Sequence, residues 1–315
     1  MRDAVPKAQR TQQGRDPNPT TEPLKGSARL GDYLRHLRVG YGYSLRKVEE
    51  RARVHGGEID NSQLSRYEKG ICYPSFDKLR TLARIFNVSI QTFSDVVDLE
   101  ELEKHQPALD EPRTLMRGGH AEFELGDYGS AYAHYQKARM LVEREAGGDL
   151  GPDDVDLVAK ARLASAITLF RMGKVSLCEY EVRQLLRLEA QLDVRLVVRA
   201  LLQLSNAHVS LGDFMLAEIE ARRSLELAVN AEDPILEAYA HHALGHILQD
   251  RGELERALEH QHEALDRYRA ANDEHGALKV KLNLGSIYAA RGQFKQGSRM
   301  LLDARDEAKR PRTPL

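Results

Sequence analysis

The ten residues NSQLSRYEKG, Asn61–Gly70, decide the reading of this chain. They spell a short helix with polar side chains at its entry, an apolar seam at Leu64 and Tyr67, and a glycine stop, with Pro74 four residues beyond. The seam packs inward, which leaves Asn61, Ser62, Ser65 and Arg66 to face out. A short helix with a polar exposed face and a presented N-terminal end is what the major groove of DNA admits.

Working outward, Arg29–Val39 repeats Leu30, Tyr33, Leu34 and Leu37 at helical spacing, and Gly40 and Gly42 stop it. Ser44 caps a second helix, Leu45–Arg53, with Leu45, Val48 and Ala52 inward. The connection Val54–Asp60 contains Gly56-Gly57 and is longer than the usual 3–4-residue turn of a helix-turn-helix. Asp60 is placed to cap the third helix. A fourth helix, Phe76–Phe86, follows Pro74 and Ser75 and ends at Asn87. A fifth runs from Ile90 to about Val97.

Leu64, Ser65, Tyr67, Glu68, Gly70, Pro74 and Ser75, then Leu79, Leu82, Ala83, Phe86 and Val88, carry a resemblance over residues 29–97 to the Xre family, the Cro and lambda-repressor type of helix-turn-helix. The chain departs from that family in its lengthened turn, and in Leu45, which stands where many members have a phosphate-contacting Gln. The resemblance implies base-edge contacts from Asn61, Ser62 and Arg66, with Gln63 reaching a phosphate. Arg66 suits the O6/N7 pair of guanine. Ser44, Arg46 and Lys69 are candidates for the backbone contacts that position without specifying. Glu68 is expected to brace the domain internally, since a carboxylate beside phosphates is repelled.

After Pro112 a second pattern sets in. A Gly and its following residue, with a small or apolar residue five positions past the Gly and another seven later, recur at Gly126 (Ala131, Ala138), Gly173 (Cys178, Leu185), Gly212 (Ala217, Ser224), Gly252 (Ala257, Ala264) and Gly292 (Gly297, Ala304). The glycines stand 47, 39, 40 and 40 residues apart. Each marks the tight turn of a helical hairpin, and the small residues let two helices approach closely. The pattern resembles tetratricopeptide repeats, with a period longer than their usual ~34 residues. Hairpins of this kind bury their faces only by stacking into a solenoid.

The fold class expected is therefore all-α: a five-helix helix-turn-helix domain followed by a helical-hairpin solenoid of about five repeats. The boundaries are an arm at 1–28, whose Lys7, Arg10 and Arg15 are available for phosphates, the helix-turn-helix domain at 29–97, a linker at 98–111, the repeats at 112–309 and a tail at 310–315.

Carrying over the concave positions of such repeats gives Arg113, Lys160, Arg199, Tyr239 and Lys279 at the second residue of each unit. The ninth gives His120, Ile167, Asn206, His246 and Ser286. Phe123, Leu202, His242, Gln249 and Leu282 lie nearby. Basic groups, amides and apolar patches in one groove suit an extended peptide.

Charge divides the same way. Residues 1–87 hold 17 Lys/Arg against 10 Asp/Glu, and residues 88–315 hold 29 against 38. A basic first part and an acidic second part imply that only the first meets a polyanion. No apolar run approaches the ~20 residues of a membrane span, and no apolar secretory segment follows the N-terminal charges. Cys72 and Cys178, far apart, fit a reducing cytoplasm. His241, His242, His246 and Asp250 form a row at helical spacing, which reads as a polar surface rather than a metal site. No phosphate loop, nucleophile elbow or catalytic triad is present, so neither an enzyme nor a cofactor is expected.

A DNA-binding domain ahead of such repeats resembles the cytoplasmic regulators of bacterial peptide signalling. That resemblance implies double-stranded DNA and a peptide or protein as partners, and a homodimer on paired half-sites. The alternative is a repeat-based interaction adaptor in which the DNA-binding domain only localises the chain.

Overall fold

The structure is a computed structural model that describes residues 26–102 and 106–309. Most of the expected arm, with Lys7, Arg10 and Arg15, and the tail at 310–315 lie outside the described residues. Among the described residues there are fifteen α-helices and no strand, in agreement with the all-α expectation. The chain divides between Asn87 and Val88 into two compact units.

The first unit holds α1 (Ala28–Gly40), α2 (Leu45–Val54), α3 (Asn61–Glu68) and α4 (Phe76–Phe86). Polar caps set the first three starts. Ser27, Ser44 and Asp60 accept from the backbone N–H of Leu30, Lys47 and Gln63, each such cap contributing about 1 kcal/mol. α3 packs on α1 and α2, and α2 packs on α4. Leu34, Val48, Ala52, Leu64, Leu82 and Phe86 fill the core at 1 % exposure or less.

The lengthened α2–α3 connection is tightly made. Gly56, at φ +73°, ends α2. Its N–H donates to the Arg53 carbonyl at 3.1 Å, and that of Gly57 to the Ala52 carbonyl at 2.9 Å, the paired bonds of a Schellman stop. A Cβ on Gly57 would sit 2.4 Å from Thr81 Oγ1, so glycine is what lets the loop lie on α4. Ile59, 2 % exposed, then anchors the loop in the core before Asp60 opens α3.

In the second unit, α5 (Ile90–Leu102) precedes five hairpins. These are α6 (Pro112–Leu125) with α7 (Tyr128–Glu145), α8 (Pro152–Arg171) with α9 (Val175–Leu186), α10 (Val194–Ser210) with α11 (Phe214–Asn230), α12 (Pro234–Asp250) with α13 (Leu254–Ala270), and α14 (Glu274–Ala290) with α15 (Phe294–Ala308). The helix expected to end near Val97 runs to Leu102 and packs on α7 and α9. Lys174 Nζ lies 3.2 Å from both Asp95 and Asp98 and offsets acidic charge along this helix.

All five repeat glycines have φ between +76° and +83°, with open space where a Cβ would point. The left-handed backbone, not crowding, is what demands glycine there. The paired small or apolar positions, Ala131 to Ala304, are all buried. At Gly297 a Cβ would lie 2.7 Å from the Gly285 carbonyl oxygen, so α14 and α15 touch through their backbones.

Successive helices pack in chain order. The first helices of neighbouring hairpins also meet: α8 with α10, α10 with α12, and α12 with α14. An inner face built from the first helix of each hairpin follows. A half-buried ionic chain ties α7, α8 and α9. Arg162 bridges Glu181 at 2.8 Å and Glu143 at 3.1 Å, and Arg139 holds Glu143 at 2.7 Å.

Candidate nucleic-acid interface and repeat cleft

Two sets of side chains stand out, one in each unit. On α3 the division of faces is sharp. Leu64, Tyr67 and Glu68 are buried at 1 %, 6 % and 5 % exposure, while Asn61, Ser62 and Arg66 are exposed and Gln63 is half-buried. Glu68 is held from inside: Arg38 Nε and Nη2 donate to its two oxygens at 2.6 and 2.8 Å. The same guanidinium reaches the Tyr43 carbonyl at 3.0 Å, and Glu68 raises the Arg38 pKa further through the hydrogen bond. Glu68 therefore braces the domain, as its repulsion from phosphates implied.

The remaining expected nucleic-acid contacts are placed as follows. Ser44 is exposed and accepts from the Lys47 N–H at 3.1 Å as the α2 cap. Arg46 is exposed beside it, and Lys69 is exposed at the C-terminal end of α3. Ser62 Oγ donates to Asp60 Oδ1 at 2.7 Å. Lys78 Nζ donates to Gln63 Oε1 at 2.7 Å. Neither of these two tethers has a sequence signal of its own.

In the second unit, α6, α8 and α10 surround a cleft of about 480 Å³. Five of the expected ligand residues, Arg113, His120, Phe123, Lys160 and Arg199, line it together. The cleft adds Arg117, one turn beyond Arg113, and an apolar lining from Met116, Leu157, Leu163, Ala164, Ile167 and Leu196. The sequence reading omitted these residues except Ile167; the i, i+4 spacing of Arg113 and Arg117 was the available signal. Lys160 pairs with Asp156 at 2.7 Å. His120 Nδ1 lies 3.0 Å from the Tyr135 hydroxyl at the inner wall, whose pKa burial pushes up to about 12. Glu124 is the one acid in the lining, so the cleft carries surplus positive charge within an acidic unit.

The other expected ligand residues lie outside this cleft. Leu202 packs beside Val198, Ala228 and Leu236. Asn206 and Lys279 are exposed. The Tyr239 ring is tilted 5.7 Å from Tyr268. Gln249 Nε2 donates to Ser286 Oγ at 3.3 Å, joining α12 to α14. The histidine row splits into separate pairs. His241 Nδ1 is 2.9 Å from His260 Nδ1, His242 Nδ1 is 3.2 Å from Gln261 Oε1, and His246 Nδ1 is 3.4 Å from Asp250 Oδ2.

The geometry defines a helix-turn-helix domain joined to an array of tetratricopeptide-like hairpins. Residues 29–93 match a family model described as a helix-turn-helix domain. Among solved structures the chain is similar to RapI in its apo form, at 16 % identity and TM-score 0.53, over 62 % of this chain and 70 % of that one. It is similar to a Podosopora anserina kinesin light chain of nearly identical TPR-like repeats, at 14 % identity and TM-score 0.50, over 62 % and 93 %. Both likenesses show the fold of the repeat unit. Bacillus thuringiensis PlcR in complex with the peptide PapR7 and DNA aligns over 90 % of this chain and 98 % of its own, at 14 % identity and TM-score 0.47. No curated protein matches the chain. Among the described residues, no helix is long and apolar enough to cross a membrane.

Proposed function

We propose that the chain is a sequence-specific DNA-binding transcriptional regulator whose repeat unit binds a peptide or protein ligand. The observation that carries the reading is the divided α3. Its inward side is locked by Leu64, Tyr67 and the Arg38–Glu68 fork, so Asn61, Ser62 and Arg66 are presented on a rigid support. Rigid presentation of polar side chains on a short helix is what base readout requires. The basic surplus of residues 1–87 supplies the phosphate attraction. The reading places the protein in the cytoplasm with its DNA.

The cationic cleft supports the input half of the proposal. An extended acidic or carboxylate-ended peptide finds Arg113, Arg117 and Arg199 for its charges and the Leu157–Ile167 surface for an apolar side chain. The reading includes a homodimer on half-sites about one helical turn apart, and the exposed Phe294, Leu301 and Leu302 on the last helix offer apolar surface for it. Ligand control then needs differential affinity for two dimer geometries.

The test is selection of bound fragments from sheared genomic DNA by the full chain. A recurrent, two-fold-related sequence motif, relaxed at one base pair of each half-site in Arg66→Ala, is expected. Enrichment of no motif by the wild-type chain would refute the reading.

A further inference from the structure

Two side chains on the exposed side of α3 have half of their hydrogen-bonding capacity already committed. Lys78, in the first turn of α4, donates from Nζ to Gln63 Oε1 at 2.7 Å. An ammonium has protons and no acceptor, so the amide atom turned towards it has to be the oxygen. The Gln63 nitrogen keeps both of its protons for a ligand.

At Ser62 the polarity is reversed. The hydroxyl donates to Asp60 Oδ1 at 2.7 Å, and an ionised carboxylate only accepts. Its one proton is spent, and the Ser62 oxygen offers lone pairs alone. Asp60 is kept in place and ionised by its capping role: the same oxygen accepts the Gln63 backbone N–H at 2.7 Å. The Ser62 hydroxyl, followed by that N–H, holds its carboxyl below the usual range. Arg66 carries donors only. The face therefore presents an acceptor at 62 and donors at 63 and 66.

Base edges in the major groove discriminate on this polarity. Guanine O6 and N7, adenine N7 and thymine O4 accept, whereas adenine N6 and cytosine N4 donate. An unrestrained Gln uses both halves of its amide on adenine N6 and N7. Resting on the DNA-binding reading above, we propose that Lys78 is a specificity-determining positioning residue: by holding the Gln63 oxygen it denies Gln63 the two-point contact with adenine and leaves the amide nitrogen as a donor that favours guanine or thymine. Asp60 imposes the opposite polarity on Ser62, which then meets the amino group of adenine or cytosine. Lys78 does this from α4, without touching a base.

The experiment selects binding sites from a randomised duplex pool with the full chain as wild type, Lys78→Met, Lys78→Gln and Lys78→Arg. Gln63→Ala identifies the base pair concerned by losing preference there. The wild type and Lys78→Arg are expected to favour guanine or thymine at that position. Lys78→Met is expected to gain adenine there by about tenfold, the low end of a bidentate contact, with the neighbouring positions unchanged. Lys78→Gln, able to donate or accept, gives a mixed preference even if Lys78→Met folds poorly. A Lys78→Met or Lys78→Gln consensus identical to the wild type, with binding weaker on every sequence, would put Gln63 on a phosphate and overturn the proposal. A wild-type pool with no enrichment overturns the DNA-binding reading itself, and this proposal with it.

Discussion

The Arg38 guanidinium grips the Glu68 carboxylate in a two-pronged contact, 2.6 and 2.8 Å, beneath the presented face of α3. Both side chains are largely withdrawn from water, at 16 % and 4 % exposure. Their bond fixes the C-terminal end of α3 to α1. Removing one partner strands the other as an unpaired buried charge, which costs about 3 kcal/mol. Glu68→Ala is expected to lower the thermal midpoint of the first unit. The double variant Arg38→Met with Glu68→Leu is expected to recover most of the loss, because apolar replacement of a buried pair is near neutral. Thermal denaturation followed by circular dichroism measures both, and a double variant as unstable as the single one would contradict the argument.

Base readout and phosphate contact separate by mutation. Arg66→Ala is expected to cost about 1–3 kcal/mol on the preferred site and to relax the sequence preference at one base pair. Lys69→Ala is expected to weaken all sequences alike and to reduce the salt slope by about one. Equal effects of the two variants across a panel of sites would refute the assignment of roles.

In the repeat unit, two positions with the same left-handed backbone should respond in opposite directions. Gly212 sits at φ +79° and Glu232 at φ +52°. Gly212→Ala places a Cβ in a conformation that disfavours it and is expected to destabilise by about 1 kcal/mol. Glu232→Gly relieves the same strain, less the entropy of a freer unfolded chain, for a net gain of about 0.5 kcal/mol. Midpoint shifts of about 2–4 °C per kcal/mol are expected for a unit of this size. Differential scanning calorimetry reads the signs.

The cleft makes its own demand. Arg113→Glu with Arg199→Glu reverses the charge of two side chains that line it and are exposed. The double variant is expected to keep its helical content and its DNA binding while losing response to an acidic peptide ligand. An unchanged response, measured by fluorescence anisotropy of a labelled peptide selected from a display library, would move the site elsewhere in the array.

Acid should loosen the second unit before its carboxylates titrate. Burial, then Arg267 and His260, lowers the His241 pKa to about 4, and burial lowers those of His242 and His260. Between the free value of about 6.5 and these lowered values the unfolded chain binds more protons than the folded one. Stability is therefore full above pH 6.5 and is lost as pH falls towards 4. His241→Gln with His260→Gln is expected to flatten the slope in that window, as read by urea midpoints at pH 7, 6 and 5.

Legibility in the sequence followed the physics of each position. The repeat glycines were readable because a left-handed turn restricts residue type, and Ala131, Cys178 or Gly297 because close helix packing does. The bounds of α4, Phe76 to Phe86, were readable from Ser75 at the N-cap position and from Asn87, which takes the left-handed conformation at the C-cap. What escaped depended on partners far along the chain. The five extra residues of α5 begin at Asp98, whose partner Lys174 lies more than seventy positions away. The Gly56-Gly57 stretch was readable only as a longer turn, and its order comes from Thr81 and the buried Ile59. At the candidate interface the exposed residues were legible on α3 alone. The polarity of Ser62 and Gln63 was not, since the side chains that fix it are held by local capping geometry and by α4.

The basic first unit is expected to meet DNA through its phosphates. Binding of the full chain to duplex DNA, followed from about 50 to 200 mM salt, measures this. A linear fall of log K against log salt, with a slope of several units set by the number of phosphates contacted, is the predicted result. Binding that is absent at low salt, or that does not change across the series, would contradict it.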